Sequence, residues 1–200
     1  MYQFHNKLIE SDQKLYEISQ IVELPILNEG NVYHNLLESI VSQQLSVKVA
    51  DVIWGRFINL FDNQTIDSDK INNMDIETMR SVGLSYQKSN YIKNVALFFE
   101  ENKLIDHNWD NYSDEEIIHQ LTKIKGVGVW TVQMILIFTL NRPDVLPVLD
   151  LGIQQGMKKL YNLESTGKDL HKDMEKIAEN WKPYRSHASR LIWKWKDTVK

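Results

Sequence analysis

The sequence predicts an all-α fold, and three observations carry that prediction. Apolar residues recur at helical spacing through most of the 200 residues. Glycine and proline are scarce, 8 and 4 in number, which suits helices with short connections and argues against a sandwich or barrel. No segment reads as a convincing strand, and there is no internal repeat or low-complexity stretch. At 42% apolar the chain can bury a core of its own. Its length suits one domain, or two small lobes sharing a core.

The elements follow in order. Leu8, Leu15, Ile18, Ile21 and Val22 form an early apolar stripe, and Leu24-Pro25-Ile26-Leu27 with Gly30 reads as a break. From His34 to Phe61 the apolar spacing fits two consecutive helices joined at Ser42-Gln43-Gln44-Leu45-Ser46, with Ser46 placed to cap the second. Thr65 to Arg80 reads as short helical pieces. Gly83 ends one element and Ser85 caps the next, Tyr86 to Glu101. Ser113-Asp114-Glu115-Glu116 is a capping box opening a helix to Thr122. Val129 to Leu140 is an apolar, central helix; Asp150 to Tyr161 and Leu170 to Trp181 are further ones. Pro183 fits a first helical turn, and the last helix runs to about Val199.

Composition excludes several chemistries. With no cysteine there is no disulfide framework, thiolate zinc site, iron–sulfur cluster or cysteine nucleophile. The six histidines show no metal spacing, so no metal site is expected. The N-terminus does not resemble a signal peptide, and the longest apolar stretch, Val132 to Leu140, is too short to span a bilayer. The chain therefore reads as cytoplasmic, with no membrane partner, and nucleoid-associated in a bacterium. Net charge is −4, but it is unevenly spread. Residues 181–200 carry six basic side chains against one acidic, net +5, and residues 121–160 carry five against two, net +3. Such clustering is an electrostatic footprint for nucleic acid; for the C-terminal cluster alone, an ordinary solvated helix end explains it as well.

The segment inside the second of these clusters is the most informative. Lys125-Gly126-Val127-Gly128 reads as a tight turn between helices, with glycines permitting positive φ and close backbone approach. The next helix points its first N–H groups outward, an anion site that a DNA phosphate fits without sequence preference. A Gly-x-Gly between helices also serves as a plain cap. The downstream residues raise its specificity: Val129-Trp130-Thr131, then a proline-framed loop, Pro143-Asp144-Val145-Leu146-Pro147, that delivers Asp150 at the start of a helix.

These residues resemble the helix-hairpin-helix (HhH-GPD) DNA glycosylases, in particular the 3-methyladenine DNA glycosylase II branch. The resemblance rests on Ile124 to Thr131, Arg142-Pro143-Asp144 and Leu146 to Ile153. It is joined by Ile40 to Ser46 with Lys48 and Ala50, by Gly83-Leu84-Ser85 with Lys88, Tyr91 and Ile92, and by Trp181 to Ser186 with Ala188 and Trp193. The motifs run in one order over roughly residues 5 to 196. The resemblance implies the compact, purely helical type without a β lobe. It implies two helical lobes with a cleft between them: one of about residues 34–135, the other of about 1–33 plus 136–200.

The implied chemistry is removal of an alkylated purine from duplex DNA, leaving an abasic site. The base must leave the stack before the sugar–base bond is reachable. Positive charge then develops on the sugar, and a carboxylate held against it stabilises that charge and can orient or deprotonate water. An N-alkylated purine is already cationic and leaves neutral, so no second acid is required. By resemblance Asp150 is the catalytic residue, although an aspartate at a helix start is usually an N-cap and the two roles are compatible. Asp144 reads as structural. Lyase-type relatives carry a lysine nucleophile just after the hairpin; Trp130 stands there in this chain and cannot attack, so the implied enzyme is monofunctional.

The same resemblance assigns the remaining site residues. Trp130 and Trp193 match positions lining the base pocket, where aromatic faces attract a cationic base. For Trp130 core packing is an equal reading. Met134 replaces a tyrosine of the family at the pocket. Trp54, Trp109, Trp181 and Trp195 read as core. Lys125, Gly126, Gly128 and Thr131 are the DNA-binding hairpin residues. Gln44, with Leu45 beside it, matches the wedge that fills the gap left by a flipped base. Arg185 and Ser186 are placed to orient Asp150 or the C-terminal helix. No catalytic cofactor is implied; relatives bridge hairpin carbonyls to phosphate with a structural monovalent cation. The expected state is a monomer on double-stranded DNA. The sequence leaves two rival readings open: a glycosylase for deaminated or etheno bases, and a non-catalytic binder of damaged DNA.

Overall fold

The computed structural model describes residues 12–198; Leu8 of the early stripe and Val199 lie outside them. The described residues are helical and contain no strand, and no helix among them is long and apolar enough to cross a membrane. By backbone contacts the chain divides into two units: residues 29–140, and residues 1–28 together with 141–200.

In the unit of residues 29–140 the helices are α2 (Val32–Ser42), α3 (Val47–Ile58), α4 (Ser68–Asn73), α5 (Ile76–Ser81), α6 (Tyr86–Glu101), α7 (Asp114–Leu121) and α8 (Val129–Phe138). Local chemistry sets their starts. Asn31 accepts from the His34 N–H at α2, and Ser85 from the Lys88 N–H at α6. At α7 the capping box is complete in both directions: Ser113 Oγ accepts from Glu116 N–H, and the Glu116 carboxylate accepts from Ser113 N–H. Hydrogen bonding to Ser113 holds the Glu116 carboxyl below its usual range. Ser46 occupies the cap position of α3, but its side chain makes no cap hydrogen bond.

Helix α8, Val-Trp-Thr-Val-Gln-Met-Ile-Leu-Ile-Phe, is apolar around its circumference, as helices inside a core are. It packs on α2 and α7, burying Val132, Ile135, Leu136 and Ile137. The rest of this core comes from Leu36, Leu37 and Ile40 of α2, Ile92, Val95 and Phe99 of α6, and Ile117 and Leu121 of α7. Trp109 is buried beside Phe99 and His107, whereas Trp54 is half-buried between His34 and Phe57.

The other unit contains α1 (Gln13–Ser19), α9 (Leu151–Tyr161), α10 (Gly167–Ala178) and α11 (Arg185–Thr198), with a short 3-10 turn at Glu179–Trp181. Leu15, Ile18, Ile153, Met157, Leu170, Met174, Leu191 and Ile192 form one core around fully buried Trp181, with Trp195 at its edge. Because α1 ends at Ser19, Ile21 of the expected stripe turns outward and is 58% exposed. Asp12 ties this core together: Oδ1 caps α1 through the Lys14 and Leu15 N–H groups, and Oδ2 accepts from Tyr161 Oη at 2.8 Å and Trp181 Nε1 at 2.9 Å. Pro183 lies ahead of α11 rather than in its first turn, within a turn closed by Tyr184 N–H on Trp181 C=O at 2.7 Å.

Helices α9 and α11 cross closely because α9 carries glycine at positions 152 and 156, one turn apart. A Cβ at Gly156 would lie 2.4 Å from Cγ2 of Ile192, and one at Gly152 would lie 3.0 Å from the Trp193 indole. Each glycine inside a helix costs about 1 kcal/mol relative to alanine. Here the missing side chains let Ile192 and Trp193 of α11 settle onto the α9 backbone.

Candidate active site and nucleic-acid interface

The glycine groove of α9 determines what surrounds Asp150. Asp150 is the N-cap of α9: its Oδ1 accepts from the Ile153 N–H at 2.8 Å. Trp193, seated in the groove, donates its indole Nε1–H to the same Oδ1, also at 2.8 Å. A Cβ on Gly152 would fall 3.0 Å from that oxygen. The carboxylate is thus fixed by two converging donors, and its half-buried position gives it the shielding in which charge–charge stabilisation is strongest. From behind, Gln154 Nε2 donates to the Val148 carbonyl at 2.8 Å and lies 3.1 Å from His171 Nε2, holding the turn that leads into Asp150. Leu149 and Leu151, on either side, are 52% and 69% exposed.

The proline-framed loop has its own anchor. Arg185 grips Asp144 in a fork, Nε to Oδ1 at 2.7 Å and Nη2 to Oδ2 at 2.9 Å, with a further bond to the Asp144 carbonyl. Ser186 Oγ accepts from Val145 N–H, and Ser186 N–H donates to Pro143 C=O. Arg185 and Ser186 therefore tie the start of α11 to the loop. Asp144 is structural, and Asp150 is held by Trp193 rather than by the arginine fork.

In the other unit, the hairpin between α7 and α8 is closed by Val127 N–H on Ile124 C=O at 3.0 Å. Gly126 has φ +106°, and a Cβ there would strike the Tyr91 ring at 2.3 Å, so no other residue fits. The Tyr91 hydroxyl accepts from Gln87 Nε2 at 2.6 Å, and Asn94 donates to the Lys125 carbonyl at 3.0 Å. Gly128 has ordinary φ and open space beside it. It is the N-cap of α8 and offers no side chain to cover the helix's first N–H groups, which remain available to an anion. Trp130 is 38% exposed. Thr131 is 3% exposed; the helical period turns its side chain inward beside Val132 and Ile135, leaving its backbone N–H as the group at the helix start. Met134 follows one turn after Trp130, half-buried. A cavity of about 520 Å³ lined by Tyr86, Gln87, Asn90, Tyr91, Asn94 and Lys125 opens beside the hairpin.

Of the hairpin carbonyls, Ile124 C=O accepts from Val127 N–H and Lys125 C=O from Asn94 Nδ2, and a carbonyl oxygen with one donor keeps a second lone pair. Among the described residues no cluster of three His, Asp or Glu side chains could hold a metal ion.

The turn between α2 and α3 presents Gln44 and Leu45. Gln44 is exposed at φ +59°, and Leu45 is 37% exposed with its N–H on Ser42 C=O. Residues 37–183 match the HhH-GPD superfamily of base excision DNA repair proteins. The chain belongs to that superfamily. DNA-3-methyladenine glycosylase 1 of Schizosaccharomyces pombe is 37% identical over 164 residues, 81% of this chain and 71% of that protein. A putative DNA-3-methyladenine glycosylase of Bacillus subtilis is 30% identical over 177 residues, 85% of this chain and 61% of that protein. Among solved structures, the S. pombe 3-methyladenine DNA glycosylase in complex with abasic DNA superposes with a TM-score of 0.84 at 33% identity, covering 96% of this chain and 95% of that one. A DNA-3-methyladenine glycosidase from Bacillus halodurans gives 0.83 at 33% identity, covering 96% and 88%.

Several residues of this HhH-GPD chain escaped the sequence reading. Asn94 and Gln154 emerge only in three dimensions, as do the side chains that pack on Gly152 and Gly156. The glycine pair had a visible sign: two of only eight glycines stand four apart inside a predicted helix.

Proposed function

We propose that this protein is a monofunctional DNA glycosylase that excises alkylated purines, 3-methyladenine first, from duplex DNA and leaves an abasic site. The observation that supports it best is the carboxylate geometry: Asp150 Oδ1 fixed by Ile153 N–H and the Trp193 indole. A preorganised carboxylate of this kind stabilises the positive charge that develops on the deoxyribose as the base departs, and orients the water that replaces it. Two relatives are named as 3-methyladenine glycosylases, and a cationic alkylated purine is the leaving group for which a single carboxylate suffices.

The remaining roles are those the family resemblance assigns. The first N–H groups of α8 and the Lys125 side chain hold a phosphate of the lesion strand; the hairpin carbonyls would hold a monovalent cation against the same strand. Gln44 and Leu45, at the apex of their turn, enter the gap left by the flipped base. The resemblance assigns Trp130, Met134 and Trp193 to the base pocket, and Trp193 also serves the carboxylate through its indole N–H. Trp130 fills the position at which a lysine nucleophile would form a Schiff base, so the strand stays intact. The protein acts as a monomer and needs no catalytic cofactor.

The test is release of methylated purines from alkylated duplex DNA, followed by a denaturing gel with and without alkali. Release with strand breaks only after alkali supports the proposal; strand breaks without alkali would contradict the monofunctional reading. Competition with deaminated or etheno-base duplexes distinguishes the alternative lesion class.

A further inference from the structure

The Lys88 side chain is misplaced for the helix that carries it. It sits in the first turn of α6, where a cation opposes the helix dipole. It is partly buried, and burial pushes its ammonium below the usual lysine range. Neither circumstance stabilises α6. The ammonium instead reaches a different element: it donates to the Val41 carbonyl and to the Gln43 carbonyl, each at 2.7 Å. Both carbonyls belong to the C-terminal end of α2, where the last C=O groups lack intrahelical partners and a cation is favourable. The residue after them is Gln44, held at φ +59° although it is not glycine. A side chain in that region costs on the order of 1 kcal/mol or more and persists only where its surroundings enforce it. Gly would relieve the strain, but it would present no side chain at the apex.

We propose that Lys88 is a positioning residue for strand insertion: by clamping the carbonyls of Val41 and Gln43 it holds Gln44, and Leu45 after it, in the projecting conformation that enters the DNA stack. The inference rests on the glycosylase reading above and adds a residue that touches neither sugar nor base. It also accounts for a strained, exposed glutamine flanked by a half-buried charge.

The experiment is a double-mutant cycle on single-turnover release of methylated purines from alkylated duplex DNA, with melting temperatures measured alongside. Lys88→Met keeps the aliphatic stem and removes the charge. It should slow release by roughly tenfold when Gln44 is present and by less than about twofold in a Gln44→Gly background, the non-additivity expected when one residue acts through another. Lys88→Arg, which retains charge and donors, should restore most of the rate, and it keeps the question open to measurement even if Lys88→Met folds poorly. Equal slowing in both backgrounds would mean a general structural role and overturn the inference, as would an unslowed Lys88→Met or an arginine variant as slow as the methionine one. A fully active Gln44→Gly would overturn it too while leaving base release intact. No release by the wild-type protein would instead sink the enzyme reading itself.

Discussion

The indole N–H of Trp193 and the backbone N–H of Ile153 meet on one oxygen, Oδ1 of Asp150, each at 2.8 Å. A hydrogen bond to a charged group contributes about 1.5–3 kcal/mol. Trp193→Phe keeps an aromatic face and removes only the donor, so it should slow single-turnover base release about tenfold or more while DNA affinity, measured in parallel, stays near wild type. An unchanged rate would show that the indole donor contributes nothing to the reaction.

Gly152→Ala reaches the same contact from the backbone side. Its Cβ would lie 3.0 Å from both Asp150 Oδ1 and the Trp193 indole, so one of them must move by a few tenths of an ångström. The helix itself gains about 1 kcal/mol of propensity. The expected outcome is a variant that melts close to wild type and releases base more slowly.

The two hairpin glycines should separate stability from binding. Gly126→Ala faces a φ of +106° and the Tyr91 ring at 2.3 Å, and should destabilise the protein by about 1–3 kcal/mol in a denaturant titration. Gly128→Ala meets open space and a φ that alanine adopts, so its cost is confined to the poorer helix cap, about 1 kcal/mol or less. Its methyl group would stand where a phosphate approaches the α8 N–H groups, so affinity for duplex DNA at fixed salt should fall.

Arg185→Lys removes a fork that a single ammonium does not reproduce. The pair is partly exposed, Arg185 at 24% and Asp144 at 28%, so solvent screening keeps the loss near the low end, about 1–2 kcal/mol. Proteolysis should reveal opening of the 143–145 loop before any other segment.

Alkaline stability tests the Asp12 staple. Burial first, then the charge of Asp12 and the hydrogen bond to it, push the Tyr161 phenol far above its ordinary value; burial does the same for Tyr33 in the other unit. A folded-state value above the unfolded one means stability is fully present below about pH 10 and declines as pH rises past it, because the unfolded chain ionises first. Tyr161→Phe should therefore flatten the fall of melting temperature above about pH 10. A fall as steep as wild type's would remove Tyr161 from the account.

Much of this was legible in the sequence because the deciding chemistry is local. Caps at Ser85, Ser113 and Asp150, the Gly83 stop, the apolar circumference of α8 and the glycine hairpin each depend on neighbours within one helical turn. Arg185 is a different case: the sequence places it to orient Asp150 or the C-terminal helix, and the fold gives it Asp144 instead. Lys88, Asn94 and Gln154 act on backbone carbonyls, and a carbonyl leaves no mark on a sequence. Thr131 shows the reverse problem, since a hydroxyl in a DNA-contacting motif proves to be turned into the core. Pro183, expected inside a helix, closes the turn ahead of it instead, because Tyr184 bonds back to Trp181 first.

The central claim is that Asp150 performs the chemistry and does not merely cap α9. Asparagine caps a helix start about as well as aspartate, so Asp150→Asn separates the two roles. Single-turnover release of methylated purines from alkylated duplex DNA should fall by about a hundredfold or more, with melting temperature and DNA affinity close to wild type. Release by Asp150→Asn at the wild-type rate would contradict the account.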